Sequence, residues 1–159
     1  MASAGVERWL TGQLEPPGDP DLEGRLSGLQ NLGQSIRDVI LRSEADQRVL
    51  TQLVAEFSTA HLVRAVHGKN QLEAVLTDFW FNHFNVYIGD PLVRLGIVRY
   101  EADAIRPHVL GRFRDLLGAV ANSWAMMTYL DNYLSTSRNI NENYARELME
   151  LHTLGVDGG

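Results

Sequence analysis

Apolar residues recur at three- and four-residue steps along most of the chain, and no stretch alternates apolar with polar for the length of a strand, so the pattern predicts helices throughout. Val6, Trp9 and Leu10 predict a short helix over 5–14, which Pro16-Pro17-Gly18 must end because two prolines withhold backbone donors. The acidic, glycine-dotted stretch 19–33 predicts mostly loop with a little helix. Beyond Ser35, Ile36, Val39 and Ile40 share a face. Ser43 or Asp46 is placed to cap a longer helix, in which Val49, Leu50, Leu53, Val54 and Phe57 recur, running to Val66 with Gly68 as its stop.

Asn70 is placed to cap the next helix, where Leu72, Val75, Leu76, Phe79 and His83 form one stripe. Trp80, Phe84 and Tyr87 widen it until little polar face is left, so this helix is expected at the centre of the core. Gly89-Asp90-Pro91 breaks the pattern and a mixed linker follows; Pro107 then sits where a first helical turn tolerates it. Leu110, Phe113, Leu117 and Val120 resume the helical period, and Ser123 is placed to cap a short helix turning Met126, Met127, Leu130 and Tyr133 inward. In the last helix, Asn139 followed by Glu142 is a variant capping box and Gly155 a stop, with Ile140, Tyr144, Leu148 and Leu151 facing inward. The fold class is therefore all-α: an irregular multi-helix bundle, with 1–45 a weakly ordered helix-and-loop region and 46–159 a helical core segment. Gly158-Gly159 falls where a chain normally turns into its next element, and the expectation is an incomplete part of a larger helical protein.

Composition narrows the chemistry. Fourteen Lys and Arg against twenty Asp and Glu give a net charge of -6, without the broad basic footprint that phosphate-backbone binding needs, so nucleic acid is not an expected partner. The absence of cysteine removes thiolate metal sites, cysteine nucleophiles and disulfides together. No run approaches the roughly 20 apolar residues of a transmembrane helix, and residues 1–10 meet Glu7 and Arg8 too early for a signal peptide. Cofactor, metal and cellular location stay open.

The polar residues concentrate near the C-terminal end: Asp131, Asn132, Asn141, Glu142, Asn143, Arg146, Glu147, Glu150 and His152 surround a short loop and the last helix. On that helix Glu142, Asn143, Arg146, Glu147 and Glu150 fall on the arc opposite the apolar one. Two readings compete. Glu142 with Arg146 and Arg146 with Glu150 are i, i+4 pairs of opposite charge, each stabilising a helix by about 0.2–0.5 kcal/mol, which suits a solvated face on a non-catalytic scaffold or interaction module. The alternative buries the arc against the Asp131-Asn132 turn as a hydrolytic or metal-assisted site, with Glu147 or His83 as base, Arg146 orienting an anionic group, and Asn82 beside His83. His83 also has a plain reading, as a core histidine bonded to a backbone carbonyl.

Sharper signatures fail on spacing. H-E-x-x-H is absent, and Met149 and Trp80 occupy the positions where Glu-x-x-His would need its acid before His152 and His83. Glu150 and His152 project about 200° apart on a helix and do not share a metal. Phosphate-loop, G-x-S-x-G and G-x-G-x-x-G patterns are missing. The arginines between Arg94 and Arg114 are diluted by Glu101, Asp103 and Asp115 and read as a mixed-charge helical surface. Met126-Met127 beside Trp124 reads as core packing.

Trp80-Phe81-Asn82-His83-Phe84, Tyr100-Glu101 with Ile105-Arg106-Pro107-His108, Tyr129-Leu130-Asp131-Asn132, and the long block from Asn141 to Gly155 together resemble the bacterial family labelled domain of unknown function 1800 (DUF1800). The resemblance covers nearly all of the chain and is weakest before Asp46. It implies a longer protein continuing into a further helical region, with no assigned activity. It also implies a bacterial envelope or exported setting and an exported sulfatase-like partner. In one departure, Trp124 stands where the family often opens the short helix with proline, so the preset φ is missing there.

Overall fold

The computed structural model describes residues 2–15 and 17–158; Pro16 and Gly159, on which the expected ends of the first helix and of the chain fell, lie outside the described residues. The described residues are all-α, without a strand, and their one extended pairing is the isolated bridge between Thr136 and Asn139. Contacts group the chain into two compact units, Met1–Phe79 and Trp80–Gly159.

The first unit holds α1 (Ala2–Leu14), α2 (Pro20–Leu26), α3 (Ile36–Ala45), α4 (Arg48–His67) and the opening turns of α5 (Gln71–His83). The joint between α3 and α4, where the sequence suggested a division after residue 45, lies inside this unit. α2 forms within the glycine-dotted stretch because Asp19 accepts from Leu22 N–H as N-cap and Pro20 takes the first helical position. The following loop is held to α4 by Glu56, which accepts from Asn31 N–H and Nδ2 at 2.7 and 2.6 Å, while Arg42 Nη1 donates to Asn31 Oδ1. Ser35 caps α3. Ser43, an expected cap, instead sits buried within α3, where its hydroxyl is satisfied by Ile40 O at 2.8 Å. Asp46 accepts from Arg48 N–H at the entry to α4. α4 buries Val49, Leu50, Leu53, Phe57 and Ala60, one continuous helical face, and α2 and α3 pack against it.

α1 joins this unit through a polar side chain. Gln13 is buried; its Nε2 donates to Lys69 O at 3.0 Å and its Oε1 accepts from Leu72 N–H at 2.9 Å. One of the orphan donors at the start of α5 is therefore satisfied by Gln13, where Asn70 was expected. Asp19 reinforces the same joint by accepting from Lys69 N–H at 3.0 Å, the bond that most strongly holds its carboxyl below the usual range.

The expected central burial of α5 is corrected. Val75 and Phe79 are exposed and Thr77 is the fully buried position, its hydroxyl donating to Glu73 O at 2.7 Å so that no polar group is left unsatisfied. The apolar stripe shows how much of the helix is apolar and leaves open which side is covered.

In the second unit the end of α5 is followed by α6 (Pro91–Arg99), α7 (Phe113–Ala121), α8 (Trp124–Tyr129) and α9 (Glu142–His152). The mixed linker expected after Gly89-Asp90-Pro91 is in fact helical. Asp90 caps α6 with Pro91 at the first helical position, and the helix runs on as a π-helical turn, Tyr100–Ile105, and a 3-10 turn, Arg106–His108, that contains Pro107. The wider π turn brings Tyr100, Glu101, Ala104 and Ile105 all inside. Tyr100 donates to Phe84 O at 2.6 Å, and burial pushes its phenol well above the ordinary range. On α7 Val120 is buried as expected, with Leu116 inward where Leu117 was expected, and Phe113 is exposed. Ser123 caps α8 as expected; Met126 and Leu130 are buried, Tyr133 is not.

α6 packs on α8 across Gly96, where a Cβ would lie 2.6 Å from Trp124 Cδ1, and Trp124 Nε1 donates to Leu92 O at 3.2 Å. Gly96→Ala should gain up to about 1 kcal/mol of helix propensity and lose about 1–3 kcal/mol to overpacking, for a net destabilisation of about 1–2 kcal/mol in urea titrations. In a Trp124→Ala background the same substitution should become stabilising. A loss unchanged by Trp124→Ala would contradict the contact.

Candidate functional site

The polar cluster is assembled by the loop between α8 and α9. Asp131 adopts φ +58°, the left-handed region that aspartate tolerates better than most residues, and reverses the chain after Leu130. Asn132 Oδ1 then accepts from Ser135 Oγ at 2.8 Å, and Ser135 Oγ accepts from Asn141 N–H at 3.0 Å. Asn141 Nδ2 donates to Leu130 O at 3.0 Å while its Oδ1 accepts from Tyr144 N–H, capping α9. Asn141 is thus the cap in place of Asn139, which pairs with Thr136 across a tight turn. Ser135, which joins the two asparagines, carried no signal in the sequence.

Two clefts open here. The larger, about 540 Å³, is lined by Asp131, Leu134, Asn139, Ile140, Asn141, Glu142 and Asn143. The smaller, about 250 Å³, is lined by Tyr129, Leu130, Asp131, Asn141, Asn143 and Glu147. Asp131, Asn141 and Asn143 face both, and neither lining contains a basic side chain.

Arg146 does not join the clefts. Its side chain is 55% exposed and donates along its own helix to Glu150 Oε2 at 3.2 Å and to Asn143 Oδ1 at 3.0 Å. An exposed i, i+4 pair contributes a few tenths of a kcal/mol, so Arg146→Ala should change stability by less than about 1 kcal/mol in a thermal melt. A loss of several kcal/mol would mean that the arginine is held in a buried network.

α9 is rotated from the expected orientation. Ile140 and Leu151 are exposed, and the covered arc runs from Tyr144 through Leu148, both half-buried, to His152, the one buried residue of the helix. Two polar anchors set this rotation: Tyr144 donates its hydroxyl to Ala121 O, and His152 Nδ1 bonds His83 O at 3.0 Å. α9 ends with Thr153 as cap, and Gly155 takes the positive φ, +78°, two residues further on.

His83 and His152 meet at the opposite end of α9 from the clefts. His83 Nε2 reaches His152 O at 2.9 Å, and the rings lie 6.1 Å apart with Phe84 between 4.8 and 5.4 Å from each. His152 belongs to the buried side, 5% exposed, and burial holds its imidazole below the ordinary range; the bond to His83 O opposes that shift and the neighbouring His83 adds to it. Asn82 precedes His83 on α5 at an exposed position. The residues named for catalysis therefore occupy three places: Glu147 in the smaller cleft, Arg146 on the exposed flank, His83 at the far end of the helix.

Among the described residues no three His, Asp or Glu side chains are grouped as a metal centre requires. The arginine-rich stretch forms Arg99–Asp103, a surface pair as expected, and Arg106–Glu101, whose carboxylate is 3% exposed and which the sequence reading placed at the surface. No helix is long and apolar enough to cross a membrane among the described residues.

Fold and loop geometry define an all-α multi-helix protein with a polar, acid-and-amide cleft at the start of its last helix. The chain belongs to the family described as protein of unknown function (DUF1800), which matches residues 1–159, the whole chain. No curated protein and no solved structure matches it.

Proposed function

We propose that the chain is a helical interaction module whose acid-and-amide cleft receives a lysine- or arginine-bearing polypeptide segment. One observation carries the reading: Asp131, Glu142 and Glu147 line the two adjoining clefts with three asparagines and no cation, under a rim of exposed Leu134 and Ile140. The side-chain amides of Asn139 and Asn143 pair with a peptide backbone, carboxylates select its cation, and the apolar rim covers its side chains. The exported sulfatase-like protein implied by the family resemblance is a candidate source of that segment.

The test is an amide-resonance titration of the ¹⁵N-labelled chain with a lysine-rich hexapeptide and, separately, a glutamate-rich one. Shifts confined to residues 129–147, seen with the first peptide only and lost in Asp131→Asn/Glu147→Gln, are expected. Absent shifts, or equal shifts from both peptides, would overturn the reading.

A hydrolytic reading draws on Glu147 and Asp131 facing one small cleft, a pair of carboxylates able to divide acid and base roles. It requires turnover of chromogenic ester or phosphate probes that Glu147→Gln abolishes without altering the melt.

A further inference from the structure

Each of the two histidines at the end of α9 bonds the other's backbone carbonyl, His83 Nε2 to His152 O at 2.9 Å and His152 Nδ1 to His83 O at 3.0 Å. A carbonyl has no proton to give, so both ring nitrogens are donors, and a neutral His152 is fixed as the Nδ1–H tautomer. Its other nitrogen, Nε2, is then a bare lone pair, and it is buried with no hydrogen-bond partner. We propose that the His83–His152 pair is an acid-operated latch: a proton taken up at His152 Nε2 releases the last turn of α9 and the segment after it from the end of α5.

The surroundings give the latch its direction. A proton on Nε2 creates a buried charged donor with no acceptor, in an imidazole whose ring centre lies 5.4 Å from that of Phe84, and burying such a group without a partner is strongly unfavourable. From α5 the titratable group facing His152 is His83, of the same sign when charged. The rings of Phe84 and, stacked beyond it, Phe113 at the start of α7 carry no charge. On α9 itself Glu150 is engaged with Arg146. Among the described residues no carboxylate contributes to the shift of His152. The folded-state pKa of His152 lies below its ordinary 6.5, so the latch contributes fully above about pH 6.5 and is lost progressively as pH falls from there toward the folded value.

Amide exchange reads this directly, because Thr153 and Leu154 N–H both bond Met149 O, at 3.1 and 2.8 Å. Corrected for the intrinsic pH dependence of exchange, their opening should rise by up to about fivefold between pH 6.5 and 5.5, while Leu53 in α4 stays level. The rise should follow the ring titration of His152 and not that of His83, and it should vanish in His152→Gln, which keeps a donor but cannot titrate. Opening that is flat with pH in the natural sequence, or equally steep in His152→Gln, would overturn the proposal. Should that variant fail to fold, the ring titration of the natural sequence decides alone: a His152 pKa at or above 6.5 rejects the latch.

Discussion

Phe84→Ala is expected to lower the stability of the chain by about 3–5 kcal/mol, the range for emptying a large aromatic site in a packed core. Phe84 is fully buried. Its ring stacks on Trp80 at 5.7 Å and Phe113 at 6.2 Å and meets His83 edge-on at 4.8 Å, so one truncation removes contacts to the end of α5, α7 and α9 together. Urea denaturation measures the loss, and the near-ultraviolet circular dichroism of the tryptophan environment should weaken with it. A loss under about 1 kcal/mol would mean that the site collapses around the cavity and that Phe84 is not the centre of this unit.

Glu101→Ala should be comparably severe, about 3–5 kcal/mol, the usual cost of breaking a buried ion pair by removing one partner. Arg106 Nη2 donates to Glu101 Oε1, with side chains 20% and 3% exposed. The double replacement Glu101→Leu/Arg106→Met distinguishes this cause from simple loss of packing. It should recover most of the stability, since well-packed apolar pairs commonly replace buried ion pairs at little or no cost. Equal losses in the single and double variants would show that the charges themselves contribute beyond compensating each other.

These two residues also mark where sequence reading stops. Long, regular patterns such as Val49 to Phe57 identify α4 and its Gly68 stop, and Ser35 and Ser123 mark the starts of α3 and α8, because each signal is local to its helix. The all-α class follows from the same locality. Glu101 is buried with Arg106 paired to it across a π turn, and nothing in composition distinguishes that pair from the exposed Arg99–Asp103 pair beside it. Asp90-Pro91 has the chemistry of a helix start, and reading it as a break turned α6 into a linker. In the polar cluster, periodicity separates the acid-and-amide arc of α9 from its apolar one. The turn angle of that helix depends on Tyr144 and His152 finding carbonyls on distant segments, and Asp131 meets Glu147 across one cleft only through the Asn132–Ser135–Asn141 chain of bonds. Contacts of that reach leave no periodic trace.

The side-chain amide of Gln13 imitates a peptide group, donating to one residue of the α4–α5 joint and accepting from another. The two ends of this clip are separated by 56 and 59 positions, so closing it spends loop entropy that only a folded α2–α4 layer has already covered. α1 should accordingly be a late arrival in refolding and an early departure in unfolding, and the Leu72 N–H at the start of α5 should lose its acceptor whenever α1 lets go.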